Sequence, residues 1–199
     1  MDSIKNKISI HNSDGWQGQY ERMKRWDKRL ETFNCQIKDT NQLHDFLDTL
    51  YVTYQNIFHL KDWLYKDNIL DKNKLNDFVN QNKEIGICRD IANGTKHFTL
   101  DNNFSVDKDF LIMSAYDPSN EDRYWSDNKI RIISRAGLFD PFGLSKKCIA
   151  LWTMFLCSEN ILTQETGITI DDLLVDTEYY QPNSQTVFGQ RFKRKKNSR

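Results

Sequence analysis

The sequence predicts a mainly α fold, a helical bundle with a short β-hairpin inserted before its last long helix. Two observations carry this expectation. Apolar residues recur at steps of three and four over several long stretches, the spacing that puts them on one face of a helix. Strand-like texture appears in two brief segments, the compact apolar run Phe110 to Met113 and the period-two alternation of Lys129 to Ile132. No stretch rich in Pro, Gly or Ser divides the chain, which has 3 Pro and 8 Gly in 199 residues, so one domain over 1–199 is expected.

Taken in order, residues 1–14 are polar and read as a flexible N-terminus. Tyr20, Met23, Trp26, Leu30 and Phe33 mark the first helix. In the second and longest, Asp39 or Thr40 can cap the start, and Leu43, Phe46, Leu47, Leu50, Tyr51, Tyr54, Ile57 and Phe58 share a face. It runs to about Tyr65, where Lys66, Asp67 and Asn68 break the pattern. Leu75, Phe78 and Val79 define a shorter helix, and Ile85, Cys88, Ile91 and Ala92 another, for which Asn93-Gly94 resembles a C-terminal cap. Phe110 to Met113 and Lys129 to Ile132 then read as two strands around a polar loop, 117–128. Asp140-Pro141 marks a turn, and Leu144, Cys148, Leu151, Trp152, Phe155 and Leu156 stripe a helix from Gly143 to Ile161. From Thr163 the patterning weakens, and 183–199 read as a flexible basic tail.

Composition excludes more than it identifies. The 12 Phe, 8 Tyr and 5 Trp are too many for a disordered chain, and the 28 basic and 28 acidic residues balance. No stretch approaches the roughly 18 to 20 apolar residues that span a bilayer, and the start shows no signal-peptide apolar region. A cytoplasmic protein with no membrane contact is expected. Cys35, Cys88, Cys148 and Cys157 are scattered without a C-x-x-C pair or a zinc-ligand spacing. They read as small buried hydrophobes kept reduced, with no metal, no cofactor and no disulfide framework. His44-Asp45 lacks an ordered upstream His to form a metal phosphohydrolase site, and phosphate-loop and G-x-S-x-G motifs are absent from the sequence.

One segment stands out: Arg89, Asp90, Asn93, Lys96 and His97 fall within nine residues, interleaved with apolar anchors. At 100° per residue, Asp90 and Asn93 lie about 60° apart on a helix, and a continued helix would bring His97 within about 20° of Asp90. A His with a carboxylate to orient it and a cation nearby suits general acid–base work or grip on a phosphate. The same residues also suit a plain helix C-terminus whose carbonyls are satisfied by Lys96 and His97. In the preceding long helix His59 and Asp62 are neighbours at the edge of the apolar stripe, beside Gln55 and Asp48. That lane is either solvent-facing surface or faces the Arg89–His97 segment across a helix pair, which would gather His59, Asp62, Asp90, Asn93 and His97.

The pairing of His59-Leu60-Lys61-Asp62-Trp63-Leu64 with Cys88-x-Asp90-x-x-Asn93-Gly94-x-Lys96-His97 resembles an uncharacterised family of bacterial helical proteins. More distantly, Arg89-Asp90 followed by His97 resembles the HEPN superfamily, helical bundles that include metal-independent ribonucleases of toxin–antitoxin, phage-defence and CRISPR-linked systems. The resemblance implies a homodimer in which Arg and His of two protomers meet at a cleft and the 2′-hydroxyl of the RNA is the nucleophile. Arg89 would then stabilise the phosphorane, His97 would act as acid or base, and Asp90 would be the polar neighbour. His59, Asp62, Asn93 and Lys96 would support or bind substrate. Asp90 to Lys96 make the spacing one residue longer than the HEPN signature, which leaves Arg89 and His97 about 80° apart on an unbroken helix unless Gly94 bends it.

Six of the last nine residues are basic, among them Arg191, Lys193, Arg194, Lys195 and Lys196, which leaves 22 basic against 28 acidic residues elsewhere. With Phe188 and Phe192 alongside, this tail suits RNA, DNA or an acidic protein surface, or serves only to keep the chain solvated. Two classes of function are therefore expected. One is a HEPN-like endoribonuclease of a defence or toxin–antitoxin system, with RNA and an antitoxin as partners. The other is a non-catalytic helical module binding nucleic acid or protein, its polar cluster a structural network.

Overall fold

The computed structural model of the chain describes residues 14–33, 37, 39–97, 106, 110–114 and 130–163, excepting the side chains of Lys96, His97, Met113 and Ser114. The expected flexible N-terminus 1–14, apart from Asp14, and the tail 183–199 and loop 117–128 lie outside the described residues. Within them the protein is mainly helical, with five α-helices and a small antiparallel sheet ahead of the last helix. The helices are α1 (Gly15–Glu31), α2 (Thr40–Lys66), α3 (Lys72–Gln81), α4 (Lys83–His97) and α5 (Pro141–Ser158).

Three helices start on an aspartate whose carboxylate accepts the orphan backbone N–H three residues on. Asp39 accepts from Gln42, Asp71 from Lys74 and Asp140 from Gly143, at 2.9, 2.9 and 2.7 Å. Each such cap contributes about 1 kcal/mol, and Pro141 at the first turn of α5 adds a pre-set φ. That is why α5 begins at Pro141 and not at Gly143. The two long helices end alike. Asn68 and Asn160 take positive φ values of 57° and 58°, and the N–H groups of Ile69 and Ile161 reach back to the carbonyls of Leu64 and Leu156 at 3.0 and 2.9 Å. Both ends carry the local sequence acid-Asn-Ile-Leu, in which Asn tolerates the left-handed turn and the Ile-Leu pair folds onto the core.

Helix α1 starts five residues before Tyr20, where the apolar pattern begins. Its cap is not local: the Asp67 carboxylate, at the end of α2, accepts the Trp16 N–H at 2.6 Å. Helix α4 likewise outlasts the cap expected at Asn93-Gly94 and runs unbroken to His97. A glycine inside a helix costs about 1 kcal/mol, and local bonding offsets it. The Thr95 hydroxyl donates to the Ala92 carbonyl at 3.0 Å and accepts from Gln55 of α2 at 3.0 Å.

The sheet has a third strand beyond the expected pair. Its strands are β1 (Leu111–Ser114), β2 (Ile130–Ser134) and β3 (Gly137–Phe139), antiparallel in the order β1-β2-β3. Leu111 pairs with Ile133, and Ile132 with Phe139. Residues Arg135 and Ala136 close the β2–β3 hairpin, and Gly137 takes the left-handed backbone, φ 132°, that the tight turn demands. Ile132 and Phe139 point into the core.

One continuous core joins all five helices to β2 and β3. Phe46, Leu50, Tyr54, Ile57, Leu60 and Leu64 make α2 its spine, packed against α1 on one side and α4 on another. Helix α5 is fixed to the rest by polar ties as well as by packing. The Tyr54 hydroxyl donates to the Pro141 carbonyl at 2.9 Å, Tyr20 and Thr153 share a hydrogen bond of 2.6 Å, and Ser145 donates to Asp27 at 2.5 Å. Phe78 of α3 stacks on Phe155 with centroids 4.2 Å apart. Among the described residues no helix is long and apolar enough to cross a membrane.

Candidate functional site

The candidate residues sit on α2 and α4, and the packing of these two helices decides how they meet. Gln55 of α2 bonds to Thr95 of α4, whereas Lys61, nearly two turns further along α2, faces Arg89, nearly two turns back along α4. The helices are therefore antiparallel, and His59 and Asp62 lie level with the middle of α4. Both are exposed on the ridge of α2 beside that groove. The fold packs the helix that carries the exposed His59 and Asp62 against the helix that carries Arg89–His97.

The residues of α4 divide between surface and interior. Positions 89, 93 and 96, spaced i, i+4 and i+7, fall within a strip about 60° wide; Arg89 and Asn93 on it are half-buried. Asp90 turns about 100° away from Arg89 and is only 1% exposed. Its carboxylate accepts the Val106 backbone N–H at 2.6 Å, so it ties the chain beyond α4 back onto the helix. Cys88 and Ile91 flank it within the core. His97 closes the helix, its side chain outside the described residues, as is that of Lys96. Because α4 is continuous through Gly94, Arg89 and His97 of one chain are about 80° and roughly 12 Å apart along the axis.

Among the described residues neither Arg89 nor Lys61 forms an ion pair; the charge that acts most on Lys61 is the Asp62 carboxylate, with Arg89 after it. Burial lowers the Lys61 pKa, Asp62 raises it and Arg89 lowers it further, so the ammonium is held in a place that disfavours it. The Lys61 ammonium lies 5.0 Å from the Phe58 ring centre, a weak compensation. Two neighbouring cations on a half-buried face make a place where a phosphate or carboxylate would be stabilised. Among the described residues no three His, Cys, Asp or Glu side chains gather as a metal would need. The tail residues Arg191, Lys193, Arg194, Lys195 and Lys196 lie outside the described residues.

Two arrangements escaped the sequence reading. Lys61 stands inside the His59–Leu64 segment, but only the packing of α2 on α4 brings its charge within reach of that of Arg89. The cysteines, scattered along the chain, include a pair in contact: the Sγ atoms of Cys88 on α4 and Cys148 on α5 are 3.3 Å apart, both buried. Next to them the half-hidden Lys147 donates to the buried Glu84 at 2.8 Å, a second tie between the same helices. Sequence separation conceals both, and only the crossing of α4 and α5 creates them. Comparison of the chain with protein-family models, with curated proteins and with solved structures finds no match.

Proposed function

We propose that this chain is a HEPN-like protein acting on RNA in the cytoplasm, a metal-independent endoribonuclease whose phosphate-holding face is the α2–α4 groove. Arg89 and Lys61, two half-buried cations whose charges act on one another and which form no ion pair among the described residues, carry this reading. In the reaction the 2′-hydroxyl of the RNA attacks the adjacent phosphorus, a 2′,3′-cyclic phosphate forms and the 5′-oxygen leaves. Arg89, with Lys61 beside it, would offset the extra negative charge of the phosphorane. His97 would take the proton from the 2′-hydroxyl or give one to the leaving oxygen, with His59 on the facing ridge as the other candidate. The separation of Arg89 and His97 along one α4 favours a homodimer in which each phosphate meets Arg89 of one protomer and His97 of the other.

The burial of Asp90 favours a second reading, in which the polar cluster is structural and the groove binds RNA without cutting it. In that reading Asp90, which accepts the Val106 N–H, is a tie and not a reacting group. The test is incubation of the full chain and its Arg89→Ala, Lys61→Ala and His97→Ala variants with RNA in EDTA, with binding followed by fluorescence anisotropy over a salt series. Cleavage that falls by about 10²-fold or more in Arg89→Ala and vanishes in His97→Ala, at unchanged melting temperature, supports the nuclease. Binding without cleavage, weakened by Arg89→Ala and Lys61→Ala with a salt slope lower by about 1 for each, supports the module. Neither binding nor cleavage overturns both.

A further inference from the structure

We infer that Cys88 and Cys148 form an oxidant-responsive dithiol, a modification site at which α4 and α5 become covalently joined. This rests on the packing of α4 against α5 and is independent of the RNA reading. The two Sγ atoms are 3.3 Å apart across 60 residues of sequence, whereas a disulfide needs about 2.05 Å. Closing that gap takes a small rotation of the two side chains. The Glu84–Lys147 ion pair, one helical turn from Cys88 and next in sequence to Cys148, ties the same two helices together. This second tie restrains the very positions to be joined.

The chemistry balances with a hydroperoxide as oxidant. One thiolate attacks the peroxide oxygen, giving a sulfenic acid and releasing hydroxide or alkoxide. The neighbouring thiol then loses its proton and displaces hydroxide from the sulfenic sulfur, forming the S–S bond. Overall two thiols and one hydrogen peroxide give one disulfide and two waters. Burial, followed by the contact with Cys88, pushes the Cys148 thiol well above its ordinary value. Because both sulfurs are fully buried, oxidation proceeds through transient local opening, faster at higher pH and slow beside that of an exposed thiol. Once made, the bond closes a long loop and fixes α4, the helix carrying Arg89, on α5.

The full-length folded chain is treated with hydrogen peroxide at mildly alkaline pH, remaining thiols are alkylated after unfolding, and intact mass and linked peptides are read. The expected result is a loss of two thiols, a mass lower by about 2 Da before alkylation and a peptide pair joining Cys88 to Cys148. Dithiothreitol should reverse it, and the oxidised form should melt on the order of 10 °C higher. Cys88→Ala and Cys148→Ala should each abolish the linked pair. Oxygen addition at Cys35 or Cys157, with Cys88 and Cys148 fully alkylated, overturns the inference. The wild-type peptide map alone decides this, whatever the variants' stability.

Discussion

Removing the Asp90 carboxylate separates a structural tie from a catalytic group. Asp90 is 1% exposed and accepts the Val106 N–H at 2.6 Å. A hydrogen bond to a charged partner contributes about 1.5–3 kcal/mol, and leaving its donor unpaired adds to the loss where water cannot reach. Val106 is half-buried, so water can partly replace the carboxylate in Asp90→Ala. The expected loss is therefore about 2–3 kcal/mol, a melting-temperature drop of roughly 4–12 °C for a chain of this size. Asp90→Asn retains an oxygen acceptor and forfeits only the charge, so about 1 kcal/mol is expected. The assay is thermal unfolding followed by circular dichroism, with RNA binding and cleavage measured well below each midpoint. If Asp90→Ala melts within about 1 °C of wild type, the tie to Val106 is not holding the chain. If Asp90→Asn keeps its stability but loses all cleavage, Asp90 belongs to the reacting groups and the structural assignment fails.

Two further predictions concern helix ends and pH. Gly15 sits at φ 56° against the Asp67 carboxylate that caps α1, and a Cβ there would run into Oδ2. Gly15→Ala should cost about 2 kcal/mol or more through left-handed strain and displacement of the cap; an unfolding midpoint in denaturant equal to wild type would refute this. Asp27 has its pKa raised by burial, a rise only partly countered by the hydrogen bond from Ser145. Its protonated form is favoured in the folded state. Stability from this group is therefore present below the ordinary Asp value of about 3.9 and lost as pH rises through the raised folded value. Asp27→Asn should match or exceed wild type near neutrality, and the wild type should gain relative to it in mild acid. A wild type that instead loses ground to Asp27→Asn on acidification would contradict the sign.

Much of the fold is legible along the chain because the relevant forces act within one segment. The apolar spacing through Phe46, Leu50, Tyr54 and Ile57 announces α2 and its buried face, since a helix of 3.6 residues per turn gathers those positions without reference to the rest of the chain. Asp39 announces its helix start for the same reason, bonding an N–H three residues away, whereas Asp140-Pro141 reads as a turn and proves to be the start of α5. The acid-Asn-Ile-Leu endings of α2 and α5 are equally local, though their meaning emerges only once both are seen to turn through Asn. Strand β3 is too short for its alternation to register, and Gly137 marks a turn that becomes visible only against β2.

The candidate segment was conspicuous by residue type alone, for Arg, Asp, Asn, Lys and His seldom crowd so closely. Where each residue sits there depends on partners far away in sequence. Asp90 is buried because the chain at Val106 returns over it, Arg89 is exposed to the charge of Lys61 because α2 runs antiparallel to α4, and Gly94 stays helical because Gln55 reaches Thr95. Helix α1 begins where Asp67 lies, and Cys88 meets Cys148, for the same reason. Sequence by itself determined the helices, their apolar faces and the Asp39 cap of α2, which depend on neighbours within a turn. Tertiary structure alone decided which polar groups are buried, paired or left facing one another, because those energies depend on helix crossing and register, which no single segment encodes.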